Sequence, residues 1–429
     1  MSTVLKTDKY ELTMLEAFIE NGMHNNKAVF ELFGRKLPEG RQYGVVAGTA
    51  RAIEATLNFT FQKEDLDHLK NEVGLKDATI EYLKNYSFSG NVYGYQEGDY
   101  WFPYAPLLTI EATLGEAVIL ETLLLSIFNY DSAVASAASH MREIAPSANL
   151  MEFGARRVNE DAAVAASRAA YIAGFNSTSN LEANRKYDVP VYGTSAHAFT
   201  LAFPTEKEAF EAQVKTFGLK TTLLVDTYDI TQGVINAVEA AGKELGAVRI
   251  DSGDPFEVIP AVRKQLDELG AVNTKIALSG DVKLENLQKL VEANLPIDSY
   301  GIGTDVVTGS GVVASGFVYK LVSVEQNGHM VPVAKKGAGA KNSKGGRKFS
   351  YRIVDLDGTV QAEIQETKPR KIGWGMPITH VPLQRQYIKE GQQILNESIE
   401  ELRDRHMNLL QNFRITKKPD VFVDSVKIW

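Results

Sequence analysis

The chain has 429 residues, 44% of them apolar, enough for two domains with substantial cores and no covalent staples. It contains no cysteine, which excludes disulfides, thiolate zinc sites and a cysteine nucleophile. A formal net charge of -8 argues against a nucleic-acid partner, whose binding domain needs a basic surface.

The opening MSTVLKTDKYELTML has no basic stretch followed by an apolar one, and no later segment reaches about 18 uncharged apolar residues. No membrane partner is expected, and the expected address is cytoplasmic. Residues 10–22 have helical spacing through Tyr10, Met14, Leu15 and Phe18, with Thr7 or Asp8 as cap and Gly22 as stop. KAVFELFGRKL and GVVAG read as strands, residues 64–72 and 76–86 as short helices, and NVYGYQEGDYWF and PLLTIEATL as strands again. This mixture without strict alternation predicts an α+β domain over residues 1–112.

Residues 113–141 have helical patterning, and the apolar run at 117–127 contains Glu121, so it reads as a buried helix. From Leu150 to Ile302 six short apolar runs alternate with amphipathic segments, the spacing βαβ units require and fewer strands than a regular eight-stranded barrel has. Residues 113–315 are therefore expected to form the catalytic α/β domain. After Gly316 strand patterns return, with Asp357-Gly358 as a hairpin signal. Residues 390–412 read as one long helix, and those beyond as a surface tail. Strand-rich pieces on both sides of the α/β region predict that residues 316–429 complete the N-terminal domain, with a basic, glycine-rich lid at 335–348.

Five of the apolar runs end in polar clusters: VPVYGTSAH, TLLVDTYD, AVRIDSGDP, KIALSGD and SYGIGTD. In parallel α/β sheets the loops after the strands carry the chemistry, so His197, Asp226, Asp229, Asp251, Asp254, Asp281 and Asp305 are the candidates. Carboxylates there can hold Mg2+, bind a ribose diol, or offset positive charge at an anomeric carbon. Aspartate is also a common helix N-cap, a role that suits Asp229 and Asp254. Asp226 and Asp251, nearer the strand ends, are the functional candidates. Arg156 and Arg157 of MEFGARR suit phosphate, and Phe153 offers a ring face to a planar base. The glycine turns of SGD and GIGTD offer backbone N–H groups to an anion. In KNSKGGRK, Lys341, Lys344, Arg347 and Lys348 suit a mobile lid over phosphates, without the spacing of a P-loop.

Taken in order, TDKYELTM, FELFGRKLP, EFGARR, ASRAAYIAGFNSTSN, GTSAHAF, LLVDTYD, VRIDSGDP and GIGTDVVT resemble the nicotinate phosphoribosyltransferase family over residues 7–352. The resemblance implies an irregular, TIM-like α/β barrel with a discontinuous α/β sandwich domain, working as a homodimer with shared active sites. It implies synthesis of nicotinate mononucleotide from nicotinate and phosphoribosyl pyrophosphate, with Mg2+ and coupled ATP hydrolysis. Residue by residue, His197 would be phosphorylated from ATP, and Phe153 and the partner subunit's Tyr10 would sandwich the pyridine. Arg249 would meet the substrate carboxylate and Asp251 the ribose, with Asp226 and Asp251 near the metal. Arg35, Arg156 and Lys344 would contact phosphates, and Gly280, Asp281, Gly303 and Thr304 would line the 5′-phosphate site. Related nicotinamide enzymes carry an aspartate where this chain has Ser179; a serine donates to a carboxylate that an aspartate would repel, which favours nicotinate.

Two departures stand out. Gly345-Gly346 replaces the Pro-Gly pair that ends the lid of many relatives, and the cysteine-rich zinc knuckle of some archaeal relatives is impossible here. The alternatives are a nicotinamide phosphoribosyltransferase, a non-catalytic nucleotide-binding relative, or a sugar-phosphate aldolase or isomerase. The last would need a Schiff-base lysine or glutamate base at a strand end, which the clusters from 189 to 305 do not supply.

Overall fold

The computed structural model describes residues 3–335, 344–369, 379–415, 419–424 and 426–427. The chain divides into two compact units, Met1–Ser136 with Val312–Trp429, and Ala137–Gly311.

The discontinuous unit is built on Lys27–Gly34, whose eight residues KAVFELFG are buried at every position but the first. Such a strand is covered on both faces, so its sequence shows a nearly continuous apolar run instead of alternation. It lies between Leu108–Thr113 and Phe317–Gln326, antiparallel to both, within a seven-stranded sheet that joins the N- and C-terminal segments. A second, five-stranded sheet comes from the C-terminal segment alone. Its hairpin of Phe349–Val354 and Val360–Glu366 turns where Gly358 adopts a left-handed φ of 85°, as the Asp-Gly pair predicts.

Three features of this unit differ from expectation. Helix Thr49–Leu57 has no counterpart in the sequence reading, because it starts at Gly48 without a side-chain cap. The long helix expected over 390–412 is confined to Ile399–Asn412: Glu390 and Gly391 have positive φ and turn a hairpin between Gln384–Lys389 and Gln392–Gln393. Ser398 and Glu401 then form a capping box that starts the helix. Beyond it, the expected tail is a strand, Asp420–Val423, paired in parallel with Val360–Glu366 through the buried Val421 and Val423.

The continuous unit is an alternation of strands and helices around a six-stranded, all-parallel sheet. Its spatial order is Ser177–Thr178, Asn149–Glu152, Ser299–Ile302, Lys275–Leu278, Ala247–Ile250 and Thr222–Leu224. This is a half-barrel: among the described residues no ladder joins the two edge strands, which are only two and three residues long. VPVYG, read as a full strand, contributes one bridge, Val191 to Thr178, while Ser177–Thr178 forms a strand inside the expected NSTSN loop. The alanines of helix Glu160–Ile172 are mostly buried, which permits close packing. No helix among the described residues is long and apolar enough to cross a membrane.

Candidate active site

The C-terminal ends of these parallel strands open into a cleft of about 500 Å³ in the continuous unit. Phe153 follows the first strand, Ser179 the second, Arg249 and Asp251 end and follow Ala247–Ile250, Ser279 to Asp281 follow the next, and Gly303 and Thr304 follow the last. Arg156 completes this part of the wall, exposed to solvent. The sequence prediction that strand ends converge is realised here, because parallel strands place every such end on one edge.

Arg249 is the most constrained group in the cleft. Its Nε donates to Ser279 Oγ at 2.7 Å, Nη1 donates to Thr194 Oγ1 at 3.1 Å and to the Ser195 carbonyl at 3.3 Å, and Nη2 donates to Asp251 Oδ1 at 3.1 Å. A guanidinium has five N–H groups, so one on Nη2 remains for a ligand. Its central carbon lies 5.8 Å from the centre of the Phe153 ring. That ring lies over Gly301, where a Cβ would come within 2.6 Å of it, so only glycine allows the ring this position. Gly280 is required for a similar reason: a Cβ there would meet the Asp251 carbonyl oxygen at 2.1 Å.

Asp251 accepts from Ser279 Oγ at 2.6 Å as well as from Arg249, and its Oδ2 lies 4.0 Å from His197 Nε2. Partial burial works against its ionisation, but the Ser279 hydroxyl, the Arg249 guanidinium and the nearby His197 together hold its carboxyl below the ordinary aspartate value. His197 starts the short helix His197–Leu201, with Nδ1 3.1 Å from Thr227 Oγ1 and Nε2 toward Asp251. The buried Asp226 accepts from the Asp251 N–H at 2.8 Å and from Ser252 Oγ at 2.6 Å, both on Oδ2. Its Oδ1 is buried without a partner, a free hard acceptor beside the cleft. The neighbouring Glu206 also has a buried, unpartnered oxygen, and its pKa is raised by burial and by the charges of Asp226 and Asp229.

Two models of one family account for most of the chain: the nicotinate phosphoribosyltransferase N-terminal domain matches residues 5–129, and the nicotinate phosphoribosyltransferase family model matches residues 148–364. The chain belongs to the nicotinate phosphoribosyltransferase family. Nicotinate phosphoribosyltransferase pncB1 of Mycobacterium tuberculosis is 50% identical over 368 residues, covering 84% of this chain and 80% of that protein. The nicotinate phosphoribosyltransferase of Bacillus subtilis is 39% identical over 363 residues, covering 82% and 74%. The crystal structure of human nicotinic acid phosphoribosyltransferase matches with a TM-score of 0.84 at 25% identity, covering 97% of each chain.

Of the residues assigned from the family resemblance, Phe153, Arg156, Ser179, Arg249, Asp251, Gly280, Asp281, Gly303 and Thr304 line the one cleft. Asp226 and His197 adjoin it through their bonds to Asp251, Ser252 and Thr227. Tyr10, Arg35 and Lys344 belong to the discontinuous unit. Tyr10 is 46% exposed, and partial burial of its hydroxyl near Glu121 raises its pKa. Arg35 has a buried Nε with no hydrogen-bond partner, and Lys344 pairs with Asp424 at 2.7 Å.

Most of the lid segment, including Lys341, lies outside the described residues. Its last two cations are not free, contrary to expectation: Arg347 pairs with Glu111 and stacks on Phe349, 3.9 Å from the ring centre, while the buried Lys348 pairs with Glu31 at 2.7 Å. Sheet residues hold both, so neither has the freedom of a solvated loop.

Sequence reasoning also missed working parts of the cleft. Thr194, Ser195 and Thr227 are ordinary small polar residues by composition, and their only signal was their place in or beside the strand-end clusters; Ser279 was read only as part of the SGD turn, not for its hydroxyl. Glu152, the residue before Phe153 in MEFGARR, is buried. Its carboxylate accepts from the Gly154 N–H, from Ser167 Oγ at 2.7 Å and from Thr178 Oγ1 at 2.6 Å; burial raises its pKa against those donors.

Proposed function

We propose that this protein joins nicotinate to the anomeric carbon of phosphoribosyl pyrophosphate, giving nicotinate mononucleotide and pyrophosphate in NAD salvage, with coupled ATP hydrolysis. In class it is an ATP-dependent, ligase-type glycosyl transfer enzyme of the cytoplasm. The observation that carries the reading is the grouping of Phe153, Arg249 and Asp251 at the C-terminal ends of the parallel strands Asn149–Glu152 and Ala247–Ile250, with the glycine turns at Gly280 and Gly303, from the two strands between them, on the same cleft wall.

The chemistry follows from that grouping. A pyridine stacked on Phe153 turns its carboxylate toward the free Nη2–H of Arg249, and the Ser179 hydroxyl offers a further donor. The ring nitrogen already carries a lone pair, so the new N–C bond needs no general base. The C–O bond to pyrophosphate breaks with its electron pair leaving on that group. The sugar passes through an oxocarbenium-like state, and the ionised Asp251 places negative charge where positive charge develops. The turns at Gly280-Asp281 and Gly303-Thr304 suit the 5′-phosphate, and Arg156, Arg35 and Lys344 suit the leaving group.

The donor set also fits Mg2+. The unpartnered Oδ1 of Asp226 and the Oδ2 of Asp251 are hard oxygens, and no group of three or more His, Asp or Glu among the described residues is arranged to hold an ion. Two carboxylates completed by water and substrate oxygens is the usual condition of that ion. When bound, it neutralises charge on the departing pyrophosphate.

His197 is the proposed phosphohistidine. Thr227 engages Nδ1, so Nε2 is the nitrogen available to attack the γ-phosphorus of ATP, with ADP leaving. The added charge favours a tight-binding state by differential contacts. The enzyme is proposed to work as a homodimer, in which the partner subunit's Tyr10 covers the second face of the pyridine; the exposure of that ring in one chain supports this.

Pyrophosphate release, measured with nicotinate or nicotinamide and with or without ATP, tests the reading. Turnover is expected with nicotinate, with ATP stimulation that His197→Ala abolishes. Preference for nicotinamide would overturn the substrate, and full stimulation in His197→Ala would overturn the phosphohistidine.

A further inference from the structure

Glu152 ends strand Asn149–Glu152 and is 1% exposed, yet no cationic side chain is among the groups acting on it. A buried carboxylate without a cation is a costly way to fill space, since an apolar side chain would do so without desolvating a charge. Its contacts explain its presence better than stability does. Oε1 accepts the N–H of Gly154 and so fastens the turn that presents Phe153. Oε2 accepts the hydroxyls of Ser167 and Thr178. Thr178 Oγ1 in turn accepts the Asn180 N–H at 3.0 Å, and the Glu152 carbonyl accepts the Ser179 N–H at 3.0 Å. One residue thereby holds both the aromatic shelf and the loop bearing Ser179, the two groups of the cleft assigned to the ring and its substituent.

We propose that Glu152 is a positioning residue that sets the spacing between Phe153 and Ser179, and through it the preference for a pyridine carboxylate over a carboxamide. The proposal rests on the nicotinate reading above. Glu152 is outside the cleft lining, so it acts only through the two loops.

Two substitutions separate reach from charge. Glu152→Asp keeps the charge and both acceptors but is one methylene shorter, so it cannot hold Gly154 and the two hydroxyls at their present spacing. Glu152→Gln keeps the reach: its amide oxygen can serve Gly154, and its nitrogen can donate to the hydroxyls. Those hydroxyls keep acceptors for their own protons, the Ala163 carbonyl at 2.8 Å for Ser167 and Ser167 Oγ at 3.0 Å for Thr178. Glu152→Asp is expected to raise KM for nicotinate about tenfold or more, below the roughly 10²-fold that a full 1 Å misplacement can cost. It should also lower the nicotinate-to-nicotinamide ratio of kcat/KM, with much less change in KM for phosphoribosyl pyrophosphate. Glu152→Gln should raise the nicotinate KM less than Glu152→Asp does. Thr178→Val, which frees only the Ser179 side, should show the same split and serves if Glu152→Asp fails to fold. The proposal is overturned if the folded variants keep the nicotinate KM and the ratio within about twofold of wild type, or raise both substrates' KM values alike. Inability of the wild-type enzyme to use nicotinate would instead sink the underlying reading, and this proposal with it.

Discussion

The two units surround buried charged groups with different partners. In the discontinuous unit, Arg352 is 2% exposed and meets Asp99, Glu363 at 3.8 Å and the Tyr100 carbonyl at 2.8 Å, while Tyr95 donates to Glu363. Lys348 and Glu31 pair in the same closed fashion. In the continuous unit the carboxylates at the strand ends are satisfied only in part: Asp226 Oδ1 has no partner, and Asp251 Oδ2 has His197 only at 4.0 Å. Opposite charges buried together, even with Arg352 Nε and Glu363 Oε2 lacking hydrogen-bond partners, specify one arrangement of chain and are expensive to break. Strand-end carboxylate oxygens with no cation in contact have capacity left for a substrate.

Substitutions on either side can break that contrast. Arg352→Ala should have the largest effect on the fold, because it strands Asp99 and Glu363: a loss of about 3–5 kcal/mol in a urea titration, with kcat of the remaining folded protein little changed. Loss of kcat with an unchanged urea midpoint would reverse the roles assigned to the two units. Asp251→Asn should do the converse, lowering kcat/KM by about 10²–10³ with little shift in the midpoint, since the side chain is 31% exposed. If turnover survives within tenfold, the carboxylate is not the group that meets the developing cation.

A pH titration sharpens the comparison next. His406 is fully buried, and burial pushes its pKa down to about 4, partly opposed by the Gly98 carbonyl and Asp99. The unfolded chain then binds its proton near pH 6.5 and the folded chain only near 4, so this contribution to stability is intact above 6.5 and declines as pH falls between those values. At about 1.4 kcal/mol per unit, the loss is at most about 3 kcal/mol. Glu363, raised to about 7 by burial against Arg352, acts in the opposite sense: its share of stability is intact below its unfolded pKa and falls as pH rises toward 7. The difference between wild type and His406→Gln isolates the histidine, and equal acid sensitivity of the two proteins would count against it. The smallest effect belongs to Asp229, which caps helix Ile230–Ala241 by accepting from the Gln232 N–H at 2.8 Å. Asp229→Ala should cost about 1 kcal/mol and leave turnover nearly unchanged, and a large drop in kcat would move this residue into the site.

Asp226 and Asp229 show how much of the site was legible beforehand. Each lies in LLVDTYD just past a strand, and VRIDSGDP repeats the arrangement with Asp251 and Asp254. Strand-end position favoured the first of each pair, and in the structure the second of each caps the helix that follows, Asp254 accepting from the Phe256 N–H at 3.0 Å. The same reasoning offered Asp305, which lines the cleft while its Oδ2 accepts from the Leu284 N–H at 2.8 Å and Ser310 Oγ at 2.9 Å. Nothing in GIGTD distinguishes that use, because both donors come from outside the motif.

The chain's own letters determined the alternation of strand and helix between 149 and 302, the placing of polar clusters at strand ends, and the absence of thiol chemistry. These depend on local spacing, burial of one face, and residue type, all of which are written in short windows. Tertiary structure alone decided that the sheet stays open as a half-barrel, that Arg347 and Lys348 are anchored, and that Glu152 ties two loops together. The physical reason is distance along the chain: Asp226 receives its donors from residues 25 and 26 positions on, and Lys348 meets a carboxylate 317 positions away. A side chain's charge is a property of its type, but whether that charge is satisfied depends on neighbours that only folding supplies.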